Sequence, residues 1–315
     1  MGDIKTYLEG KGITDIISVE ELGGGIINRV YKVTTDNQDI VVKQSANQPK
    51  IDDNLEIPPD RYFYEKAAIN YLDKLLDEKI TPKIIFFDDA SKTICMKDFN
   101  AERMDQLLHS HKIKPMLFKN IGKILAEIHN HSSKDKEVLE RFDNNAFHKL
   151  SVDYRYYKYD DEFNSRIKKV RDTLIKGMNK NKITFVHHDL KPNNFFVLSN
   201  NRFGLIDYEQ SYYGDPAPDV GYFLAHLLVY HWTSSTSYYK EIVMNLWDSY
   251  IYNLELQSKE RLERNIVKHI GFIGIYKMVG IAKEDFDFLD NPTKKKVIDI
   301  CKDIILNKSS LKQIL

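Results

Sequence analysis

At 315 residues the chain is long enough to bury a full core, or two lobes around a cleft. Lysine plus arginine equals aspartate plus glutamate at 46 each, which excludes a global basic field that would draw the chain onto nucleic acid or an anionic membrane. The two cysteines, Cys95 and Cys301, stand far apart and form neither a disulfide framework nor a metal-ligand pair, so the expected setting is reducing and cytoplasmic. The start of the chain, Met1 to Gly10, is polar and lacks the apolar core of a secretory leader. The longest apolar run, 222–232, is interrupted by His226 and His231 and falls short of the roughly 20 residues that a membrane helix needs.

The first hundred residues read as strands around one helix. Residues 30–34 and 39–44 form β-branched or alternating runs, with Asp36-Asn37 between them as a hairpin turn. Pro58-Pro59-Asp60 opens a helix that continues to about Asp77 without internal glycine or proline. Two short strands follow at 84–87 and 93–96, separated by the polar turn Asp88-Asp89-Ala90-Ser91. From Asn100 onward strand signals nearly vanish, apart from pieces near 184–186, 195–198 and 203–206. Leu117, Ile121, Ile124 and Ile128 mark an amphipathic helix, and 238–254 and 293–306 mark others. These patterns predict an α+β protein with a β-rich lobe over 1–99 and a mainly helical lobe over 100–315. The tyrosine-rich, charged segment 132–162 reads as an insertion without a defined shape.

The most informative stretch is His187-His188-Asp189-Leu190-Lys191-Pro192-Asn193-Asn194, followed by Gly204-Leu205-Ile206-Asp207-Tyr208-Glu209. Phosphoryl transfer needs an acceptor-orienting carboxylate, an oxygen ligand for magnesium, a carboxylate bridging metal and phosphates, and a cation on the nucleotide. Asp189 is placed to take the proton of an attacking hydroxyl. Asn194, five residues on across a Lys-Pro turn, offers an amide oxygen to Mg2+, and Asp207 supplies a charged metal ligand. The spacing and roles match the kinase signature H-R-D-x-x-x-x-N followed by D-F-G. The alternative is that these are turn and loop-cap residues, which Asp and Asn commonly are.

Upstream signals agree with the kinase reading. Lys43 ends the apolar strand Ile40-Val41-Val42, and Glu65 lies within the helical stripe of Ile69, Leu72 and Leu76. A carboxylate on an apolar face needs a partner, and Lys43 is the natural one. Gly23, Gly24 and Gly25 with Asn28, just before the first strand, read as a turn whose backbone N–H groups cover phosphates. His188 is expected either to meet a phosphate or to be satisfied by a backbone partner.

Taken with Leu125-Ala126-Glu127-Ile128-His129 and with Gly214-Asp215-Pro216 and Asp219, this set resembles the aminoglycoside phosphotransferase and choline kinase superfamily from about Glu21 to Leu228. The resemblance implies a protein-kinase-like bilobal fold, ATP held at a hinge formed by Met96, Lys97, Asp98 and Phe99, and structural roles for Asp219 under the catalytic loop and His187 beneath it. Several strings look most like the methylthioribose kinases: Gly-Gly-Gly-x-x-Asn-x-Val-Tyr, Val-Val-Lys-Gln, Met96-Lys97-Asp98, Asp219-Val220-Gly221-Tyr222-Phe223-Leu224-Ala225, and Gly271-Phe272-x-Gly274 followed by Gly280-Ile281-Ala282. Where those kinases carry paired arginines, this chain has Tyr276 and Lys277.

About a dozen residues separate Asp207 from Asp219, and no Ala-Pro-Glu string follows, so no long activation segment exists to dock a peptide. The expected acceptor is therefore a small-molecule alcohol: methylthioribose or another sugar first, with choline, ethanolamine or an aminoglycoside as alternatives. Tyr154, Tyr156, Tyr157, Tyr159, Trp232 and Trp247 are compatible with an aromatic cage for a cationic acceptor. A nucleotide-binding pseudokinase is the alternative of another class, and monomer and homodimer both remain open.

Overall fold

The computed structural model describes residues 4–23, 28–45, 57–280 and 283–315. Its N-terminal part is one antiparallel five-stranded sheet in the order β1-β2-β3-β5-β4, built from β1 (Ile16–Leu22), β2 (Asn28–Thr35), β3 (Asp39–Ser45), β4 (Ile84–Asp88) and β5 (Thr93–Lys97). The β2–β3 hairpin turns at the expected place, with Thr34 opposite Asp39. α1 (Ile4–Glu9) and β1 escaped the sequence reading. Both are short, and β1 has no apolar alternation: it is an edge strand carrying Glu20 and Glu21, defined by its pairing with β2. α2 (Arg61–Leu75) crosses between β3 and β4, two residues shorter than its pattern suggested at the C-terminal end.

Alternation along β3 sorts side chains between two environments. Ile40 and Val42 join Val33, Cys95 and Leu8 of α1 in a small core on one face of the sheet. Val41 and Lys43 turn the other way, toward α2 and the interior of the molecule.

Beyond Lys97 the chain is mainly helical: α3 (Met104–Leu108), α4 (Pro115–Ser132), α5 (Lys136–Arg141), α6 (Asn145–Val152), α7 (Ser165–Lys180), α8 (Ala217–Thr233), α9 (Tyr238–Asn253), α10 (Lys259–Val279) and α11 (Asn291–Asn307). Four short strands interrupt it as two hairpin-like pairs, β6 (Thr184–Val186) with β9 (Tyr212–Gly214) and β7 (Phe195–Val197) with β8 (Phe203–Leu205). α4 and α9 approach closely because Gly122 has no side chain to strike the Leu246 carbonyl. No helix among the described residues is long and apolar enough to cross a membrane.

Segment 132–162 is no loose insertion. α5, α6 and a wide π-helical turn, Asp153–Tyr157, connect α4 to α7, and Phe142 is clamped between Tyr71 of α2 and Phe185 of β6 at centroid distances of 5.9 and 4.9 Å. The two parts of the molecule are tied directly, since Leu205 donates its N–H to the Ile80 carbonyl at 2.7 Å.

Candidate active site

β6 delivers His187, and the loop after it is held from below. Asp219, in the first turn of the buried helix α8, accepts the backbone N–H of His187 and of His188 at 2.7 Å each. Burial pushes the Asp219 carboxyl up to about 7, against the pull of those two N–H bonds. His187 takes the N–H of Asp189 on Nδ1 at 3.2 Å, which leaves Nε2 to donate to the Ile206 carbonyl at 3.0 Å. Both nitrogens are used in the neutral form, and burial lowers the pKa of the ring in the same sense.

His188 adopts a left-handed conformation, φ 66°. This turns its ring away from solvent and toward His148, Nε2 to Nδ1 3.3 Å, and Tyr212. Its Nδ1 has no partner among the described residues. The ring is not satisfied by a backbone partner as the sequence suggested: at the positive φ it lies inside the protein, where another imidazole meets it.

The side chain of Asp189 lies at the centre of three donors. Arg155 Nη2 reaches Oδ1 at 3.2 Å, while Lys191 Nζ and Asn194 Nδ2 reach Oδ2 at 3.1 and 3.2 Å. Asn194 also bonds the Asp189 carbonyl through Nδ2 at 2.9 Å, so Oδ1 of Asn194 is the acceptor that remains. The Asn194 carbonyl takes the N–H of Ile206 at 3.0 Å, which couples this loop to Asp207 one residue further on.

Asp207 also lies in the left-handed region, φ 67° and ψ 56°, a conformation Asp tolerates better than most side chains. Its Oδ1 meets Lys43 Nζ at 2.6 Å, and Oδ2 has no partner among the described residues. Lys43 and Glu65 do meet, at 2.9 Å to Oε1 and 2.8 Å to Oε2. Glu209 completes the group, 3.8 Å from Lys43, 3.4 Å from Arg61 Nε and 2.8 Å from the amide of Asn28. Burial alone would lower the pKa of Lys43, but Asp207, Glu65 and Glu209 together raise it above the ordinary lysine value. Burial pushes Glu65 up to about 7 despite Lys43, whereas at Asp207 the attraction of Lys43 outweighs burial and the carboxyl falls below its usual range. One oxygen from each of Glu65, Asp207 and Glu209 lies within 4.8 Å of the others, an arrangement able to hold a cation.

The other expected positions divide. Gly24 and Gly25 lie outside the described residues, and Gly23 forms a bend at the end of β1. Asn28 begins β2, and its amide is engaged by Glu209 and Arg61. At the hinge, Met96 is buried on β5, Lys97 is exposed, and Asp98 pairs with Lys32 at 2.9 Å. Phe99 packs at a tilt against Phe196 and covers Gly204, where any side chain would strike the ring. The six aromatic residues of the expected cage do not gather into one. Tyr156 bonds His269, Tyr157 lies under Arg171, Trp232 donates to the Ile314 carbonyl and Trp247 packs beside Tyr250.

Sequence reasoning missed Arg155, Lys191, Arg61, and the pair Lys277–Asp285, 2.9 Å apart with Asn193 3.4 Å from Asp285. Arg61 had a signal, four residues before Glu65 on the same helix. Arg155 had none, buried as it is in a charged tyrosine-rich string.

A β-sheet lobe with a buried lysine–glutamate pair, facing a helical lobe whose loop carries Asp189 and Asn194 next to Asp207, defines a kinase-like phosphotransferase architecture. The sequence profile described as "Phosphotransferase enzyme family" matches residues 18–243, and the chain belongs to that family. It is a phosphotransferase of the small-molecule kinase class, with an alcohol group as acceptor. Similar curated proteins include the methylthioribose kinase of Geobacillus sp. (strain WCH70), 22% identical over 94% of this chain and 87% of that one. The methylthioribose kinase of Bacillus thuringiensis (strain Al Hakam) is 24% identical, over 92% of this chain and 87% of that one. In fold the chain resembles an amicoumacin kinase solved with AMP-PNP, Ca2+ and Ami, with a TM-score of 0.66 at 15% identity over 99% of this chain and 97% of that one. It also resembles the choline kinase LicA from Streptococcus pneumoniae, with a TM-score of 0.54 at 18% identity over 97% and 99%.

Proposed function

We propose that the chain is an ATP- and Mg2+-dependent kinase that transfers the γ-phosphate to a hydroxyl of methylthioribose or a closely related sugar. The observation that carries this reading is the ion-pair cluster of Lys43, Glu65 and Asp207 joined, through the Ile206 N–H on the Asn194 carbonyl, to the loop where Asn194 bonds Asp189, a set that a non-catalytic nucleotide-binding domain has no chemical need to assemble. The low-identity likeness to methylthioribose kinases over more than nine-tenths of the chain supports the choice of acceptor.

In this reading the lobes divide near Phe99 and the adenine lies against 96–99, with Gly23, Gly24 and Gly25 over the phosphates. Lys43, held by Glu65, neutralises the nucleotide phosphates. The residues present fit a divalent cation: Asp207 Oδ2 and Asn194 Oδ1 are the oxygens left over after Lys43 and Asp189 have taken their neighbours, with Glu209 alongside. Bound there, Mg2+ would supply the positive charge that offsets the negative charge of the transferring phosphoryl group. Asp189 orients the acceptor hydroxyl and takes its proton as the new O–P bond forms and the bond from the γ-phosphorus to the bridging oxygen breaks, with ADP as the leaving group.

The test is ATP turnover by purified protein with methylthioribose, choline, ethanolamine, common sugars and aminoglycosides, each with and without Mg2+. Mg2+-dependent stimulation by methylthioribose is expected; stimulation by choline or an aminoglycoside alone would replace the acceptor. Asp189→Ala should cost on the order of 10²–10⁴-fold in kcat. Asp207→Ala should abolish Mg2+-dependent nucleotide binding as well, and unchanged affinity by calorimetry would remove Asp207 from the metal site.

A further inference from the structure

We propose that Arg155 is a positioning residue for Asp189, fixing which carboxylate oxygen faces the incoming hydroxyl. The inference rests on the reading of Asp189 as proton acceptor. Arg155 projects inward from the π-helical turn Asp153–Tyr157, the kind of local irregularity that often marks a functional position. Only 7% of it is exposed. Nη1 donates to the His188 carbonyl at 2.6 Å, while Nη2 donates to Asp189 Oδ1 at 3.2 Å and to Gln210 Oε1 at 3.1 Å. The guanidinium lies over the Tyr222 ring, 4.7 Å from its centroid.

These contacts grip two things at once: the peptide that enters Asp189 and the Asp189 side chain. The first matters because His188 sits at φ 66°, a conformation strained for a residue with a side chain and kept only under restraint. Asp219 holds the N–H side of that loop and Arg155 the C=O side. The second sets the direction of the carboxylate. With Oδ1 tied to a planar, buried fork, rotation of the group is opposed, and Oδ2 stays beside Asn194 and Lys191. The Lys191 side chain is 29% exposed against 7% for Arg155, so Lys191 is the partner an incoming hydroxyl can displace. Gln210 and Tyr222 keep the guanidinium plane in register, α8 thereby acting on the loop twice, through Asp219 and through Tyr222. A pair retained for stability alone would not need this: buried ion pairs are frequently matched by apolar residues of the same volume.

The experiment uses the full chain with ATP, Mg2+ and the acceptor found by the turnover screen. Arg155→Met should lower kcat on the order of 10²-fold, as a misplaced reacting group does, with the nucleotide KM unchanged. In an Asp189→Ala background the same substitution should cost nothing further, because its effect runs through the missing carboxylate. A loss of equal size in both backgrounds, a parallel rise in nucleotide KM, or an unchanged kcat would each overturn the inference. Arg155→Lys, which keeps charge and most of the volume but not the fork, covers the case in which Arg155→Met does not fold. A reduced kcat at an unchanged thermal midpoint supports positioning, and full activity refutes it. Turnover retained by Asp189→Ala would overturn the proton-acceptor reading itself, whereas its loss beside fully active Arg155 variants would remove the positioning role alone.

Discussion

The two sides of the cleft are built from the same residue types with opposite balance. Where β3 and α2 meet the segment after β8, Glu65, Asp207 and Glu209 face Lys43 and Arg61, three carboxylates to two cations. Around the catalytic loop, Arg155, Lys191 and Lys277 pair with Asp189 and Asp285, three cations to two carboxylates, while Asp219 below is bonded to backbone N–H groups and not to a cation. Buried like charges repel strongly, so each side is stabilised by what it lacks. One side favours a further cation, and the other favours a group that becomes negative as it arrives. The contrast teaches that a transferring phosphoryl group can be accommodated by the imbalance between neighbouring clusters as much as by any single residue.

The strongest way to break this contrast is Lys43→Met, which leaves three carboxylates facing one another across a few ångströms. Loss of about 3–5 kcal/mol is expected, read as a lower urea midpoint. Added Mg2+ should restore part of that loss by binding the folded state among the carboxylates; no response to Mg2+ would mean that the acidic side does not hold the metal. Lys277→Met tests the other side and should cost less, about 1–3 kcal/mol, because it strands a single partly hydrated carboxylate.

The smallest effect concerns the floor beneath the cationic side. Burial lowers His148 to about 4, below the ordinary histidine value. Between these values the unfolded chain binds the proton and the folded chain does not, so stability is lost as pH falls. The share due to His148 is about 1 kcal/mol between pH 7 and pH 5.5. His148→Phe should lose that increment of acid lability in urea titrations at the two pH values, and an unchanged difference would show that His148 takes up its proton equally in the folded and unfolded chain.

Much of the architecture was legible because it rests on local signals. The β2–β3 hairpin, α2, α4, α9 and α11 all carry periodicity or turn chemistry that survives in any context. α1 and β1 were not legible, since an edge strand with little buried surface has little pattern to read. Segment 132–162 looked shapeless because its helices are short, and its burial depends on Phe142 finding Tyr71 and Phe185, both distant in sequence. In the cleft, Lys43 and Glu65 could be paired from the sequence because a carboxylate on an apolar stripe demands a partner. The engagement of Asn28 by Glu209, 181 residues away, could not.

The amino-acid sequence by itself determined the residue types of the cleft and their order along the chain: a lysine at a strand end, a glutamate on a helix stripe, and Asp189, Asn194 and Asp207 at kinase spacing. Only the tertiary structure decided how those charges are shared. The inward turn of His188, the grip of Arg155 on Asp189 and the closing of Lys277 on Asp285 arise from elements that meet only when the helices pack, where burial makes each ion seek whichever partner folding has placed within reach.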